Sequence, residues 1–354
     1  MIKSVVELTE KELHGKRILL RVDFNVPVEN GKILDDYKIM AHKETIDYLI
    51  SRGAVVTLLS HITSIDPTLQ LKGGVKSFEP LLGQIQEILK TKNFSLFENI
   101  RNYKGEENND EEFAEEIAKS FDIYINDAFS VSHRSHVSIV AITKFMPSYA
   151  GLLLMKEVEN LDKAMKLPKE GKTLIIGGAK AETKLPIIES FIDKSENILV
   201  GGVVANVFLK ASGVDIKKSL TDDNLLDNAK KIIANSNIII PKDYIFLNDM
   251  ILDVGPETVN KFSEIIKKSK VVIWNGPLGK AEDEDSSRGT KAIAEAIANS
   301  GAFSVIGGGD TVAFTIKNNL TDKFSYVSTG GGAMLYFLSG KKMPGLEVLN
   351  YYDF

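Results

Sequence analysis

Thr173-Leu-Ile-Ile176 runs directly into Gly177-Gly178-Ala179-Lys180, and an apolar run closed by glycine returns four more times downstream. Asn197-Ile-Leu-Val200 precedes Gly201-Gly202, and Val271-Val-Ile-Trp274 precedes Asn275-Gly276-Pro277-Leu278-Gly279. Phe303-Ser-Val-Ile306 precedes Gly307-Gly308-Gly309-Asp310, and Phe324-Ser-Tyr-Val327 precedes Ser328-Thr329-Gly330-Gly331-Gly332. Short apolar runs with turn signals on both sides read as strands buried on both faces, which means a parallel sheet. Glycine at the carboxyl end lets backbone approach a ligand, and each following helix offers free N–H groups. Together the five loops predict an anion-binding rim for a nucleotide.

The first half carries strands of its own at Arg17–Phe24, Ala54–Ser60, Ser95–Phe97 and Ile123–Asn126, separated by helical stretches at Lys38–Ser51, Phe78–Lys90 and Asp110–Ser120. Strand–helix alternation at this spacing implies βαβ units and a second parallel sheet. At 354 residues the chain exceeds what one core usually supports. The reading is an α/β protein of two Rossmann-like lobes joined by a hinge helix. The expected boundaries are residues 1–149 for the N-terminal lobe, 150–165 for an amphipathic connector after Pro147, and 166–337 for the nucleotide lobe.

Charge and composition narrow the class. A formal charge of −5 argues against nonspecific nucleic-acid or membrane-surface binding. The absence of cysteine excludes disulfides, thiolate metal sites and a cysteine nucleophile. No stretch is long and apolar enough to span a bilayer, and Met1-Ile-Lys-Ser leads straight into Glu7, Glu10 and Lys11, unlike a signal peptide. A cytoplasmic enzyme is expected. With no sustained heptad or long apolar surface stretch, it is expected to be a monomer.

Cationic and hydrogen-bonding residues gather at strand ends in the first half, where the second half has glycine. Arg21, Asp23 and Asn25 alternate along one extended segment, His61 follows the strand ending at Ser60, and Arg101 follows Phe97-Glu-Asn-Ile. Asn126-Asp127-Ala-Phe-Ser-Val-Ser leads into His133-Arg134-Ser-His136. At the carboxyl edge of a parallel sheet these groups suit a small anion bearing phosphate or carboxylate. In the second half, Lys180 and Lys184 lie four apart behind the double glycine, where lysine neutralises a phosphoryl group. Asp310 follows three glycines and is suited to a phosphate-bound magnesium ion. Glu282 is placed to accept a ribose hydroxyl. No Walker A phrase occurs and the dinucleotide fingerprint is incomplete, so the phosphates fall to several dispersed loops.

These phrases, in this order from about Lys16 to Leu349, resemble the phosphoglycerate kinases. The carriers are Arg21-Val-Asp-Phe-Asn-Val-Pro27, Glu98-Asn-Ile-Arg101, Asn126-Asp-Ala-Phe129 with His133-Arg-Ser-His136, and Gly177-Gly-Ala-Lys180. Trp274-Asn-Gly-Pro277, Gly307-Gly-Gly-Asp310 and Ser328-Thr-Gly-Gly-Gly-Ala333 complete them. The resemblance implies a two-lobed hinge-closing fold whose C-terminal tail, 338–354, returns to the first lobe. It implies reversible, magnesium-dependent transfer between 1,3-bisphosphoglycerate with ADP and 3-phosphoglycerate with ATP, as in glycolysis. It further implies that Asp23, Phe24, Asn25, Lys38, His61, Arg101 and Arg134 bind 3-phosphoglycerate, and that Lys180, Lys38 and Gly331 serve catalysis. Gly178, Ala179, Lys184, Asn275, Pro277, Glu282, Gly308, Gly309, Asp310 and Thr311 would bind the nucleotide, with Gly330 to Gly332 holding its phosphates and Asp310 the Mg2+.

Three positions depart from the family pattern. Lys38 stands where the family carries arginine, His61-Ile-Thr-Ser64-Ile65 replaces His-Leu-Gly-Arg-Pro, and Val203 replaces a third glycine and is expected to crowd the base. They motivate a second expectation, a nucleotide-binding protein with weakened or redirected catalysis. A dehydrogenase on the same two-lobe plan is the third.

Overall fold

A computed structural model describes residues 2–64, 66–70, 76–235 and 237–352; Ile65 of the His61 motif lies outside the described residues. The chain divides into two compact units, Met1–Glu159 with Lys341–Phe354, and Asn160–Gly340.

In the first unit five strands form one sheet in the order Ser95–Leu96, Val55–Leu59, Arg17–Arg21, Ile123–Asn126, Ser148–Ala150, every pair parallel. The central strand explains why: Ile18 and Leu20 pack into one hydrophobic cluster with Ile46, Leu49, Ile85 and Leu89. Leu19, on the opposite face, packs into another with Ile117, Tyr124, Val137 and Ile142. A strand apolar on both faces needs helices on both, which is the condition a parallel sheet satisfies. The edge strand Ser148–Ala150 is too short for periodicity to reveal. It takes Ala150 from the expected connector, so the helix begins only at Leu152 and runs to Lys166.

The strand expected over Arg17–Phe24 stops at Arg21 because side chains take over its backbone N–H groups. The Asp23 N–H donates to His42 Nε2 at 2.9 Å and the Phe24 N–H to Ser60 Oγ at 2.9 Å. The helix expected over Lys38–Ser51 is two, Tyr37–Ala41 and Lys43–Ser51, meeting at His42, whose N–H closes a tighter bond to Ile39 O at 3.2 Å. The later segment belongs here too: Gly345 N–H donates to Ser132 O at 2.8 Å, Lys3 N–H to Leu349 O at 3.3 Å, and Met343, Leu346 and Leu349 are buried.

The second unit holds a six-stranded parallel sheet in the order Ile238–Ile239, Asn197–Val200, Lys172–Ile176, Val271–Asn275, Phe303–Gly307, Tyr326–Val327. All five glycine-ended runs are strands in it. Trp274, Val272 and Ile306 pack with Phe262, Ile293 and Ile297 to make the core on one face. An antiparallel hairpin, Tyr244–Leu247 with Met250–Val254, stands apart from the sheet. Its turn residues Asn248 and Asp249 take φ of 52° and 62°, the left-handed pair that a tight two-residue hairpin needs.

Both sheets reverse their strand order once. In the first unit the reversal falls between Arg17–Arg21 and Ile123–Asn126, and in the second between Lys172–Ile176 and Val271–Asn275. A crevice opens at the carboxyl ends of the two strands that flank such a reversal.

Candidate active site

In the first unit the loops from both sides of the reversal meet at Asp23. Its Oδ2 accepts from Lys38 Nζ at 2.8 Å and from Ser130 Oγ at 2.5 Å, and its Oδ1 from the Asn25 N–H at 3.1 Å. Asn25 Oδ1 accepts from Thr63 N–H at 2.9 Å and Thr63 Oγ1 at 3.0 Å, tying this loop to the one after His61. Burial would raise the Asp23 carboxyl; the Lys38 ammonium and the hydrogen bond from Ser130 outweigh it and hold the group below the usual carboxylate range.

His61 is buried, and its Nδ1 accepts from Arg21 Nη2 at 3.2 Å. Burial, then the guanidinium of Arg21, pushes the imidazole down to about 3, with Asp23 opposing and Arg101 and Arg134 adding to the fall. The ring is therefore neutral, with its proton on Nε2. Arg21 itself is spent inside the protein, with Nε on Ser138 Oγ at 2.9 Å and Nη1 on the Val22 carbonyl. Ser138 Oγ donates in turn to buried Glu106 Oε1 at 2.7 Å. Arg101 pairs with Glu107 at the surface, while its Nε is buried without a hydrogen-bond partner. Arg134 is half-buried, and no hydrogen bond or ion pair engages its guanidinium among the described residues. Burial, then Arg101, pulls it below its ordinary value. A cation depressed by its neighbours in this way gains from an anion placed beside it.

Phe24 does not line this crevice. Its side chain is fully buried in the core, edge-on to His42 at 5.9 Å between ring centroids. Ser64 Oγ turns to Val28 O at 3.5 Å.

In the second unit the glycines divide into two kinds. A Cβ on Gly177 would lie 2.1 Å from Pro277 O, one on Gly276 2.2 Å from Gly177 O, and one on Gly201 2.3 Å from Leu278 Cδ2. These glycines let neighbouring loops interlock backbone to backbone, as in the bond from Gly178 N–H to Pro277 O at 2.8 Å. Such crowding, not ligand approach, explains their presence. Gly309 and Gly332 have nothing within 4 Å of a built Cβ and open outward at the starts of helices Gly309–Lys317 and Gly331–Leu338. Gly331 is crowded by Gly308, and its carbonyl accepts from Asn275 Nδ2 at 3.4 Å.

Asp310 and Lys180 both act on Lys184 here. Lys184 donates to Asn275 Oδ1. Burial pushes its ammonium down to about 8, Asp310 pulling it back and Lys180 adding to the fall. Lys180 is exposed at the start of helix Ala181–Phe191. The Thr311 hydroxyl accepts from Gly276 N–H at 2.8 Å and is fully buried, so its side chain shapes the loop.

Beside this cluster lies a mostly apolar cavity of about 320 Å³, bordered by Gly178, Ala179, Val203, Pro277, Glu282 and Asp310. Its opposite wall is Leu220, Met250, Ile251 and Leu252, the last three from the hairpin. Val203 borders the cavity without closing it. Sequence reading missed that wall, although Asn248-Asp249 between two apolar runs is a hairpin signal. It also missed Ser130, for which an isolated serine offers no signal.

The geometry is a cationic cluster at one reversal and a cavity with a lysine–carboxylate cluster at the other. Comparison with known proteins shows the family of the chain. A family model described as phosphoglycerate kinase matches residues 8–341. The phosphoglycerate kinase of Dictyoglomus turgidum is 39% identical over 390 residues, covering 98% of this chain and 98% of its own. That of Rubrobacter xylanophilus is 38% identical over 377 residues, covering 96% of each. Among solved structures, phosphoglycerate kinase from Coxiella burnetii matches with a TM-score of 0.85 and 34% identity over 99% of this chain and 100% of that one. Phosphoglycerate kinase from Pyrococcus horikoshii OT3 matches at 0.87 with 29% identity over 100% of both. The chain belongs to the phosphoglycerate kinase family.

Proposed function

We propose that this protein catalyses reversible phosphoryl transfer between MgATP and the carboxylate of 3-phosphoglycerate, acting as a monomeric cytoplasmic enzyme of glycolysis. The observation that carries the reading is the gathering of cations at the strand ends of the first unit, where Arg21 donates to His61 Nδ1 at 3.2 Å and Arg101 and Arg134 stand close by. Arg101 and Arg134, with Lys38 and Asn25, would take the phosphate and carboxylate of the acceptor. The cavity would take the adenosine, with Glu282 toward the ribose and the helix starts at Gly309 and Gly331 toward the phosphates. Lys180 would carry the migrating group and Lys184 a nucleotide phosphate.

Asp310 suits Mg2+ in one specific way. Among the described residues no group of three or more His, Cys, Asp or Glu side chains is arranged to hold a metal ion, so no dedicated protein cage surrounds Asp310. That fits an ion held chiefly by nucleotide phosphates and water. When bound, Mg2+ neutralises charge on the phosphates being separated. In-line transfer needs no protein nucleophile, in keeping with a chain that has no cysteine. The two half-sites belong to different compact units and must meet during transfer. We assign the hinge to helix Leu152–Lys166, which begins in one unit and ends in the other.

The test is a coupled assay with ATP, Mg2+ and 3-phosphoglycerate. Turnover dependent on all three is expected; no turnover with nucleotide binding intact refutes the activity. A weakened nucleotide-binding protein is the second reading, favoured by one observation. The Lys38 ammonium is already engaged by Asp23 and lies 3.5 Å from Asn25 O.

A further inference from the structure

His42 is a fully buried imidazole outside the set of residues that face substrate or nucleotide. Both ring nitrogens are engaged, and their roles are fixed by their partners. Asp23 N–H donates to Nε2 at 2.9 Å, so Nε2 is the acceptor. Nδ1 therefore carries the proton and donates to Asp127 Oδ2 at 2.8 Å. Asp127 is fully buried as well. Its second oxygen, Oδ1, accepts from Leu153 N–H at 2.9 Å and Leu154 N–H at 3.3 Å, in the first turn of helix Leu152–Lys166. Thr45, on the helix that His42 opens, accepts the Leu152 N–H at 3.2 Å. An unbroken hydrogen-bonded line thus runs from the backbone of Asp23 to that helix start.

The line matters because of what hangs on Asp23. Its carboxylate holds the Lys38 ammonium and the Ser130 hydroxyl, and it receives the N–H of Asn25, which anchors the loop after His61. The Asp23 N–H has left the sheet ladder, and His42 is what fixes it. A buried N–H that loses its partner swings toward another acceptor. Lys38 and Asn25 would swing with it.

We propose that His42 is a positioning residue for the acceptor-substrate site: its Nε2 fixes the Asp23 backbone, while Asp127, bonded to the first turn of helix Leu152–Lys166, orients the ring. This rests on the kinase reading above. Of the two bonds, the one from the Asp23 N–H carries the positioning, and the one to Asp127 orients the ring that accepts it.

Glutamine and asparagine separate the two arms. In His42→Gln the amide oxygen reaches the place of Nε2 and accepts the Asp23 N–H. In His42→Asn the amide nitrogen occupies the place of Nδ1 and serves Asp127 alone. The experiment measures KM for 3-phosphoglycerate, KM for MgATP, kcat and melting temperature in wild type, His42→Gln, His42→Asn and His42→Ala. Calorimetric titration with 3-phosphoglycerate accompanies the kinetics, and a melting shift with MgADP checks the fold of each variant. The 3-phosphoglycerate KM is expected to rise about 3–10-fold in His42→Asn and His42→Ala, and by less than about twofold in His42→Gln. The MgATP KM stays at the wild-type value in all three, while melting temperature falls in all.

Equal rises in the glutamine and asparagine variants, a matching rise in the MgATP KM, or no rise in any would reduce His42 to a core histidine and overturn the proposal. If His42→Ala does not fold, the glutamine–asparagine contrast alone decides. Wild type that neither turns over nor binds 3-phosphoglycerate refutes the kinase reading and this inference with it. Active wild type with indifferent variants refutes this inference only.

Discussion

Lys38 Nζ sits 2.8 Å from Asp23 Oδ2, an ion pair in which the carboxylate is almost wholly enclosed and the ammonium is one-third exposed. Removing the cation leaves a buried carboxylate with only neutral partners. Lys38→Met should therefore cost about 1–3 kcal/mol of stability by thermal or urea unfolding. If the same ammonium also faces the migrating group, kcat falls by about 10³-fold. Loss of stability with kcat retained would make Lys38 a structural partner of Asp23 and nothing more.

Lys38 and Ser64 also decide between the two functional readings. Joint replacement by arginine is expected to change kcat by less than about tenfold, because Lys38 already supplies the charge at its position and Ser64 turns to the Val28 carbonyl. A gain of about 10² or more would favour the weakened protein, since an arginine can contribute 10³ or more to phosphoryl transfer.

Lys184 sets an alkaline limit. Its pKa in the free protein is pushed down to about 8, so it is charged below that pH and loses its proton above it. The kcat/KM for MgADP should be level below about pH 8 and fall above it. A bound phosphate raises the pKa, so kcat at saturating nucleotide should hold to higher pH. Lys184→Arg should abolish the descending limb. In the absence of nucleotide the sign for stability is opposite: the depressed pKa penalises the charged form, and the penalty lifts as pH rises from about 8 toward 10.5.

Glycine substitutions should separate scaffold from ligand contact. Gly177→Ala drives a methyl into the Pro277 carbonyl and should destabilise the protein by about 1–3 kcal/mol, read by melting temperature. Gly309→Ala meets open space, so the melting temperature should stay put while the KM for MgADP rises.

Asp310→Asn keeps the shape and removes the charge. The Mg2+ concentration needed for half-maximal activity should rise, with kcat/KM for MgATP down by about 10²-fold, a few kcal/mol of charge stabilisation. An unchanged Mg2+ dependence would assign Asp310 to tuning Lys184 alone.

The sheets were legible because strands buried on both faces write themselves as apolar runs; Ile18 to Leu20 and Val271 to Trp274 are such runs. The two-residue strand Ile238–Ile239 and the strand Ser148–Ala150 were not, since a span that short has no period to read. Asp310 and Lys184 were singled out because glycine marks such positions. Arg21 was misleading: an arginine at a strand end invites a ligand, yet its donors go to Ser138, Val22, Leu59 and His61. The His42–Asp127 bond joins residues 85 apart in sequence, and no local pattern can encode such a meeting.

The segment Lys341–Phe354 completes the first unit from beyond the second. On a ribosome, the whole of Asn160–Gly340 is made before Met343, Leu346 and Leu349 exist to fill their places. The second unit is thus free to mature during elongation, while the first waits unfinished for its closing piece. A nascent chain stalled within the second unit would expose the apolar bed of that missing piece, giving chaperones a defined window in which to act.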